Sequence, residues 1–230
     1  RLMSINLLKR LESSVNSFQL TLTRIKELIN GTIEAINRFE KYGSDDISMY
    51  EARRDDWDID DENTEFFTVG KKVKIELADM DWKSWRNELQ QDADVLELLT
   101  LMVADITPEH DTKLQELLRL LDEKITNPIN PNNKKVLIFS AFSDTAEYLY
   151  DHVSMYMKDK YGLNTAVITG TIDGRTTIKG FPATLNNVLT CFSPVSKDRD
   201  VLMPNSRNEI DILIATDCIS EGQNLQDCDY

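Results

Sequence analysis

Residues 210–230 read IDILIATDCISEGQNLQDCDY and form the most informative stretch of the chain. The stretch begins with an apolar run that a single acidic residue interrupts, made up of Ile210, Ile212, Leu213 and Ile214. A run this short and this rich in β-branched residues is typical of a strand buried on both faces of a parallel sheet. The strand ends in Ala-Thr-Asp at 215–217, and open α/β sheets bind their ligands at the carboxyl ends of such strands.

A loop with the sequence SEGQN follows at residues 220–224. Gly222 permits a positive φ angle or a close approach of the backbone to a ligand. The ATD strand end and the loop EGQNLQ together resemble motif V of the superfamily 2 helicases and translocases, in particular their Swi/Snf-like branch. About a dozen consecutive positions match, which is more specific than a glycine motif alone. A buried strand followed by an ordinary glycine turn is the alternative.

Two further strands are predicted upstream, and each ends in small polar residues. Residues 136–139, VLIF, lead to Ser140, and residues 166–168, AVI, lead to Thr-Gly-Thr at 169–171. The first of these strands resembles motif IV of the same family, and the second matches a strand end where the family places a glycine. Three strand ends therefore match strand ends of this family, in the order in which the family has them along the chain.

The alternation of strand and helix predicts a parallel sheet with right-handed crossovers, formed by residues 131–230 with the 210–215 strand in its interior. A helix capped by Ser143 or Asp144 is expected between the first two strands. The fold class implied by the resemblance is α/β: a parallel-sheet RecA-like second helicase lobe, P-loop NTPase-like but without its own P-loop, preceded by an α-helical region.

The resemblance assigns nucleic-acid contact to four residues at the strand ends: Ser140, Thr169, Gly170 and Thr216. Hydroxyls and bare backbone hold phosphates by hydrogen bonds without reading the bases. The second lobe of these helicases grips the backbone of one strand in this way. For Ser140 and Thr216, a strand-end turn in which the hydroxyl bonds local backbone is the alternative.

The resemblance assigns one wall of the ATP cleft, and its coupling to nucleic acid, to Asp217, Glu221, Gly222 and Asn224. The sequence contains no GxxxxGK[ST] and no DEAH-like box. ATP and Mg²⁺ are therefore expected in a longer protein that supplies the first RecA-like lobe, and neither is expected to bind tightly to this chain. The chain alone is expected to hydrolyse no ATP, because it holds no complete set of catalytic residues.

Residues 1–130 are expected to form a helical linker or brace, and the Asn- and Pro-rich stretch 127–133 is the predicted boundary. The sheet domain, 131–230, is expected to be truncated after motif V. The connection over residues 172–209 is longer than the family's usual one and is interpreted as an insertion.

Apolar residues at three- and four-residue steps predict helices over residues 2–42 and 79–106. Asn30-Gly31 is a candidate break or kink in the first helix. The apolar stripe is expected to pack within its own domain, with a partner-helix surface as the alternative. Residues 44–64 are acidic, without apolar periodicity, and are expected to be an exposed loop.

The formal net charge is −14, and half of this excess lies in residues 44–64. An acidic balance is unfavourable for a nucleic-acid partner.

The three cysteines form no CxxC pair, which favours free thiols in a reducing cytoplasm. His110 and His152 are far apart, so no metal site is expected. No apolar run has the length of a transmembrane helix, so no membrane partner is expected.

The function implied by the resemblance is that of an ATP-dependent nucleic-acid helicase or translocase, of which this chain is a fragment. The implied partners are nucleic acid, with double-stranded DNA foremost, the first RecA-like lobe, and a protein target remodelled on the nucleic acid. A non-catalytic α/β module that binds a protein or a nucleotide through a degenerate lobe is the alternative. A P-loop and a DEAH-like box upstream would discriminate the two. A Rossmann-like enzyme is disfavoured, since no GxGxxG follows any strand.

Overall fold

The computed structural model describes residues 2–43, 77–170, 174–219 and 223–229. The chain folds as two compact units, Arg1–Ile106 and Thr107–Tyr230. The boundary predicted at residues 127–133 lies further along the chain, inside the second unit. The predicted acidic loop at 44–64 lies outside the described residues.

The described part of the first unit contains three α-helices: α1 Leu2–Ser13, α2 Val15–Tyr42 and α3 Trp82–Ala104. Helix α2 packs against both α1 and α3. Its apolar stripe supplies Phe18, Leu22 and Ile25, which form a buried cluster with Leu96 of α3. This part of the predicted stripe is therefore buried within its own unit.

The break in the first predicted helix lies at Ser14, and the break predicted at Asn30-Gly31 is wrong. The Ser14 hydroxyl accepts a hydrogen bond from the amide of Ser17 at 3.0 Å and so caps a new helix. Helix α2 then runs on through Gly31. A glycine in a helix interior costs about 1 kcal/mol, and burying a side chain such as Ile36 contributes more than that, about 1.5–3 kcal/mol.

The second unit is built on a four-stranded sheet in its described residues. The strands are β1 Val136–Phe139, β2 Thr165–Ile168, β3 Arg175–Thr176 and β4 Ile212–Ala215. Their order is β1-β4-β2-β3. Strand β4 pairs in parallel with β1 and β2, and the short β3 pairs antiparallel with β2. The predicted parallel sheet with the 210–215 strand inside is confirmed, and β3 is an unpredicted antiparallel addition.

Both faces of β4 are covered, and all four of its residues are fully buried. Ile212 and Ile214 pack in a cluster with residues of helix α5, Ser143–Tyr161. Leu213 and Ala215 pack in a second cluster with residues of helix α6, Leu185–Phe192. This two-sided burial is what the uninterrupted apolar run 212–214 predicts.

Helix α4, Thr112–Thr126, belongs to the sheet unit because its Leu121 and Ile125 pack beside Val136 of β1. Asp111 caps this helix by accepting hydrogen bonds from the amides of Lys113 and Leu114 at 3.0 and 3.1 Å. The sequence places α4 in the preceding linker, since neither its apolar stripe nor its cap indicates which element it packs against.

The first turn of α5 begins at Ser143, and the expected cap at Ser143 or Asp144 is wrong. Phe142 occupies the N-cap position and makes no side-chain cap hydrogen bond.

Within residues 172–209, the described part holds β3, α6 and a short helix α7, Arg199–Leu202. Gly174 is required next to β3, since a Cβ atom there would lie 2.2 Å from the carbonyl oxygen of Ala183.

Candidate functional site

The ends of three neighbouring strands form one row at the carboxyl edge of the sheet. The last residues of these strands are in register: Phe139 of β1, Ala215 of β4 and Ile168 of β2. The amide of Ser140 donates to the carbonyl of Ala215 at 2.9 Å, and the amide of Thr216 donates to the carbonyl of Ile168 at 3.2 Å. Ser140, Thr216 and Thr169 therefore follow one another across the sheet, at the strand spacing of about 4.8 Å.

The hydroxyl of Ser140 takes part in a local turn. It donates to the carbonyl of Phe142 at 3.0 Å and accepts from the amide of Phe142 at 3.2 Å. The residue is 8% exposed. This is the strand-end turn that the sequence left open as an alternative, so a phosphate contact by this hydroxyl requires the turn to rearrange.

The two threonines of the row are also buried. Thr216 is 1% exposed and Thr169 is 7% exposed, and the carbonyl of Thr216 accepts from the amide of Ile219 at 3.4 Å. Gly170, directly after Thr169, is exposed. In this conformation a phosphate reaches the threonine hydroxyls only if neighbouring residues move aside.

Of the four residues assigned to the ATP cleft, two are described. Asp217 begins a short 3₁₀ helix, Asp217–Ile219, and is exposed, as is Asn224. Glu221 and Gly222 lie outside the described residues. One carboxylate and one amide do not cradle a triphosphate, so the described residues do not fit ATP and Mg²⁺ on their own.

A carboxylate that the sequence reading missed lies close to this wall. Asp227 accepts hydrogen bonds from the amides of Val195 and Ser196, at 2.7 and 2.9 Å, and from the hydroxyl of Ser196. Burial acts to raise the pKa of Asp227, but these hydrogen bonds outweigh it and hold the pKa below its ordinary value. No local pattern indicates this role, because the partners lie 31 and 32 residues away.

The opposite, amino edge of the sheet has its own carboxylate. Asp211, the acidic interruption of the apolar run, accepts a hydrogen bond from the amide of Asn164 at 2.9 Å. Burial raises the pKa of Asp211 despite this hydrogen bond. The residue therefore joins β4 to the chain just before β2, and it lies at the end of the sheet away from the candidate site.

Among the described residues, no group of three or more His, Cys, Asp or Glu side chains is arranged to hold a metal ion. None of the helices within the described ranges is long and apolar enough to cross a membrane.

Comparisons of the chain with protein-family models, with curated proteins and with solved structures give no match.

Proposed function

We propose that this chain supplies the second, RecA-like motor lobe of an ATP-dependent nucleic-acid translocase or helicase of the Swi/Snf-like kind. In this proposal the strand-end row contributes contacts to the nucleic-acid backbone. Asp217, Glu221, Gly222 and Asn224 contribute one wall of the ATP cleft. The first lobe, with its phosphate cradle and its Mg²⁺ ligands, belongs to a longer protein.

The arrangement of the three motif-bearing strands carries the proposal. Strand β4 lies between β1 and β2, so the strand ends that match the family in sequence order lie side by side in space. Ligands of open α/β sheets bind at this edge. Asp217, the first of the proposed cleft residues, directly follows Thr216 of the row, so the two proposed sites meet at consecutive residues.

The burial of Ser140 and Thr216 favours the alternative, a non-catalytic α/β module that binds a protein or a nucleotide through a degenerate lobe. In that case the hydroxyls close strand-end turns and contact no phosphate. A P-loop and a DEAH-like box in the preceding sequence would support the motor, and a preceding sequence that lacks both would leave the binding module.

The experiment that tests the proposal compares Thr216→Ala with Thr165→Ala in the longer protein. Thr165 is fully buried at the opposite end of the sheet, so it matches Thr216 in chemistry and burial. We expect Thr216→Ala to reduce the stimulation of ATP hydrolysis by double-stranded DNA more than basal hydrolysis, and Thr165→Ala to spare the stimulation. Equal loss of basal and stimulated activity in Thr216→Ala counts against the proposed role.

A further inference from the structure

A turn at residues 194–198 follows helix α6 and lies within the stretch that the sequence identifies as an insertion. The amide of Lys197 donates to the carbonyl of Ser193 at 2.9 Å, and the amide of Arg199 donates to the carbonyl of Pro194 at 2.9 Å. Ser193 is fully buried. The 194–198 turn is therefore anchored to the core at its start and closed by its own backbone.

Asp227 joins the 194–198 turn to the segment that follows motif V. Its carboxylate receives the amides of Val195 and Ser196, together with the Ser196 hydroxyl. Hydrogen bonds to an ionised carboxylate are roughly twice as strong as neutral ones. Three such bonds to two consecutive residues fix both the position and the orientation of the carboxylate.

Lys197 makes a second link between the same two segments. Its ammonium nitrogen donates to Oε1 of Gln223 at 2.8 Å, and the contact is partly buried. Gln223 directly precedes Asn224, and Asp227 comes three residues after it. The exposed Asn224 is therefore flanked on both sides by residues that are bound to one turn.

The other side of this segment is bound to the chain around α4. The carboxylate of Asp229 pairs with the buried Lys124 and accepts from Nδ2 of Asn130 at 2.8 Å. Nδ2 of Asn133 donates to the backbone carbonyl of Asp227 at 2.9 Å. Residues 223–229 are thus fixed from two directions.

We propose that Asp227 and Lys197 are positioning residues that fix Asn224 in the wall of the ATP cleft, so that the 194–198 turn is a working part of the site. This inference rests on the proposed function. Ordering a side chain on binding costs conformational entropy. A wall that is already fixed avoids this cost, so loss of either link is expected to weaken nucleotide binding more than the chemical step.

The structural half of the inference is tested in the 230-residue chain by hydrogen exchange. In Asp227→Asn we expect the amides of Val195 and Ser196 to exchange at least tenfold faster than in the wild type. Asp198→Asn is the matched control, because Asp198 is exposed, belongs to the same turn and has a φ of 50°, a left-handed conformation that asparagine also adopts. It should leave both amides unchanged.

The functional half is tested in the longer protein. We expect Asp227→Asn and Lys197→Met each to raise KM for ATP about three- to tenfold while kcat falls less than twofold. Asp198→Asn should change neither parameter. Lys197→Met leaves Asp227 intact, so it also tests the inference if Asp227→Asn folds poorly.

The outcomes separate this inference from the proposed function. If the amides of Val195 and Ser196 exchange at the wild-type rate in Asp227→Asn, the proposed link between Asp227 and the 194–198 turn is overturned. Faster exchange with an unchanged KM in both variants overturns the positioning role and leaves the motor lobe standing. A wild-type longer protein that hydrolyses no ATP overturns the proposed function, and the positioning role falls with it.

Discussion

The amide of Ser140 donates a hydrogen bond to the carbonyl oxygen of Ala215 over 2.9 Å, which places the end of β1 beside the end of β4. Ser140 directly follows the first, and Ala215 ends the last, of the three strands whose ends resemble helicase motifs. Their contact aligns the two strand ends, and both Ser140 and the neighbouring Thr216 are buried there, at 8% and 1% exposed.

We expect Ile214→Ala to destabilise the second unit by about 2–5 kcal/mol, because truncating a fully buried isoleucine removes apolar burial and leaves a cavity. All three tryptophans precede the second unit in sequence, so native-state hydrogen exchange of the β4 amides is the suitable measurement. Val201→Ala is the control: Val201 is 78% exposed, and its change should stay within about 0.5 kcal/mol. An equally small change in Ile214→Ala would contradict the interior position of β4.

The buried pair of Lys124 and Asp229 provides a second prediction. The two side chains are 1% and 14% exposed, and removing one partner of a buried pair costs about 3 kcal/mol or more because the other charge is left uncompensated. Lys124→Met should therefore destabilise the second unit strongly, and adding Asp229→Leu should restore part of the loss. Arg119→Met, which removes only exposed ion pairs, should have a much smaller effect in the same hydrogen-exchange measurement. A loss in Lys124→Met no greater than in Arg119→Met would show that the buried pair is not formed.

The carboxylates of the second unit predict a pH dependence whose sign differs between positions. Burial acts to raise the pKa of Asp229, but hydrogen bonds from Lys124 and Asn130 hold it below its ordinary value, and the pKa of Asp227 is lowered as well. A lowered folded pKa gives stability that is present above the unfolded value of about 3.9 and is lost as the pH falls through the folded pKa. Burial raises the pKa of Asp211, so its contribution is present at low pH and is lost as the pH rises through the folded value.

Urea unfolding followed by circular dichroism checks these signs between about pH 6 and pH 3. Asp227→Asn should lose less stability than the wild type on acidification, because the wild-type carboxylate is the group that titrates. Asp211→Asn should lose more, because the opposing contribution of Asp211 is gone. If the stability of both variants depended on pH as that of the wild type does, neither carboxylate would have the environment described.

Strand β4 is the element that the sequence predicts best, because its apolar run meets a sheet that covers both faces. The row of strand ends follows from it, since parallel strands carry their carboxyl ends to one edge. Strand β3 has two residues, too few for a period, and its antiparallel pairing with β2 is set by tertiary contacts. The sequence does not predict the helix break at Ser14, because a serine cap and a helix glycine are competing signals for a break. The burial of side chains in α2 outweighs the cost of Gly31, so the helix continues there and breaks at Ser14.

The candidate site is less predictable than the fold. The positions of residues at the strand ends follow from the register of the strands. The burial of the Ser140 and Thr216 side chains depends instead on residues from other segments of the same chain. The bonds of Asp227 to the 194–198 turn have no local sequence signal, because each joins residues that are far apart along the chain. Contacts of this kind are seen only once the fold brings the segments together.

We expect the 230-residue chain to bind double-stranded DNA weakly and with a strong salt dependence. Its net charge is −14, and each phosphate contact lowers log K by about 0.9 per tenfold increase in salt. Fluorescence anisotropy of a labelled duplex, titrated at several salt concentrations, measures both quantities. Tight binding that is insensitive to salt would contradict a site made of a few backbone-phosphate contacts.

Phosphate release from ATP by the 230-residue chain and by the longer protein, each with and without double-stranded DNA, tests the motor-lobe proposal most directly. Phosphoryl transfer needs a phosphate cradle, bound Mg²⁺ and cationic charge at the transition state, and an arginine finger alone is worth about 10³–10⁵ in rate. We expect no turnover by the 230-residue chain, and turnover stimulated by DNA in the longer protein. Turnover by the 230-residue chain that equals that of the longer protein, or a longer protein that DNA does not stimulate, would contradict it.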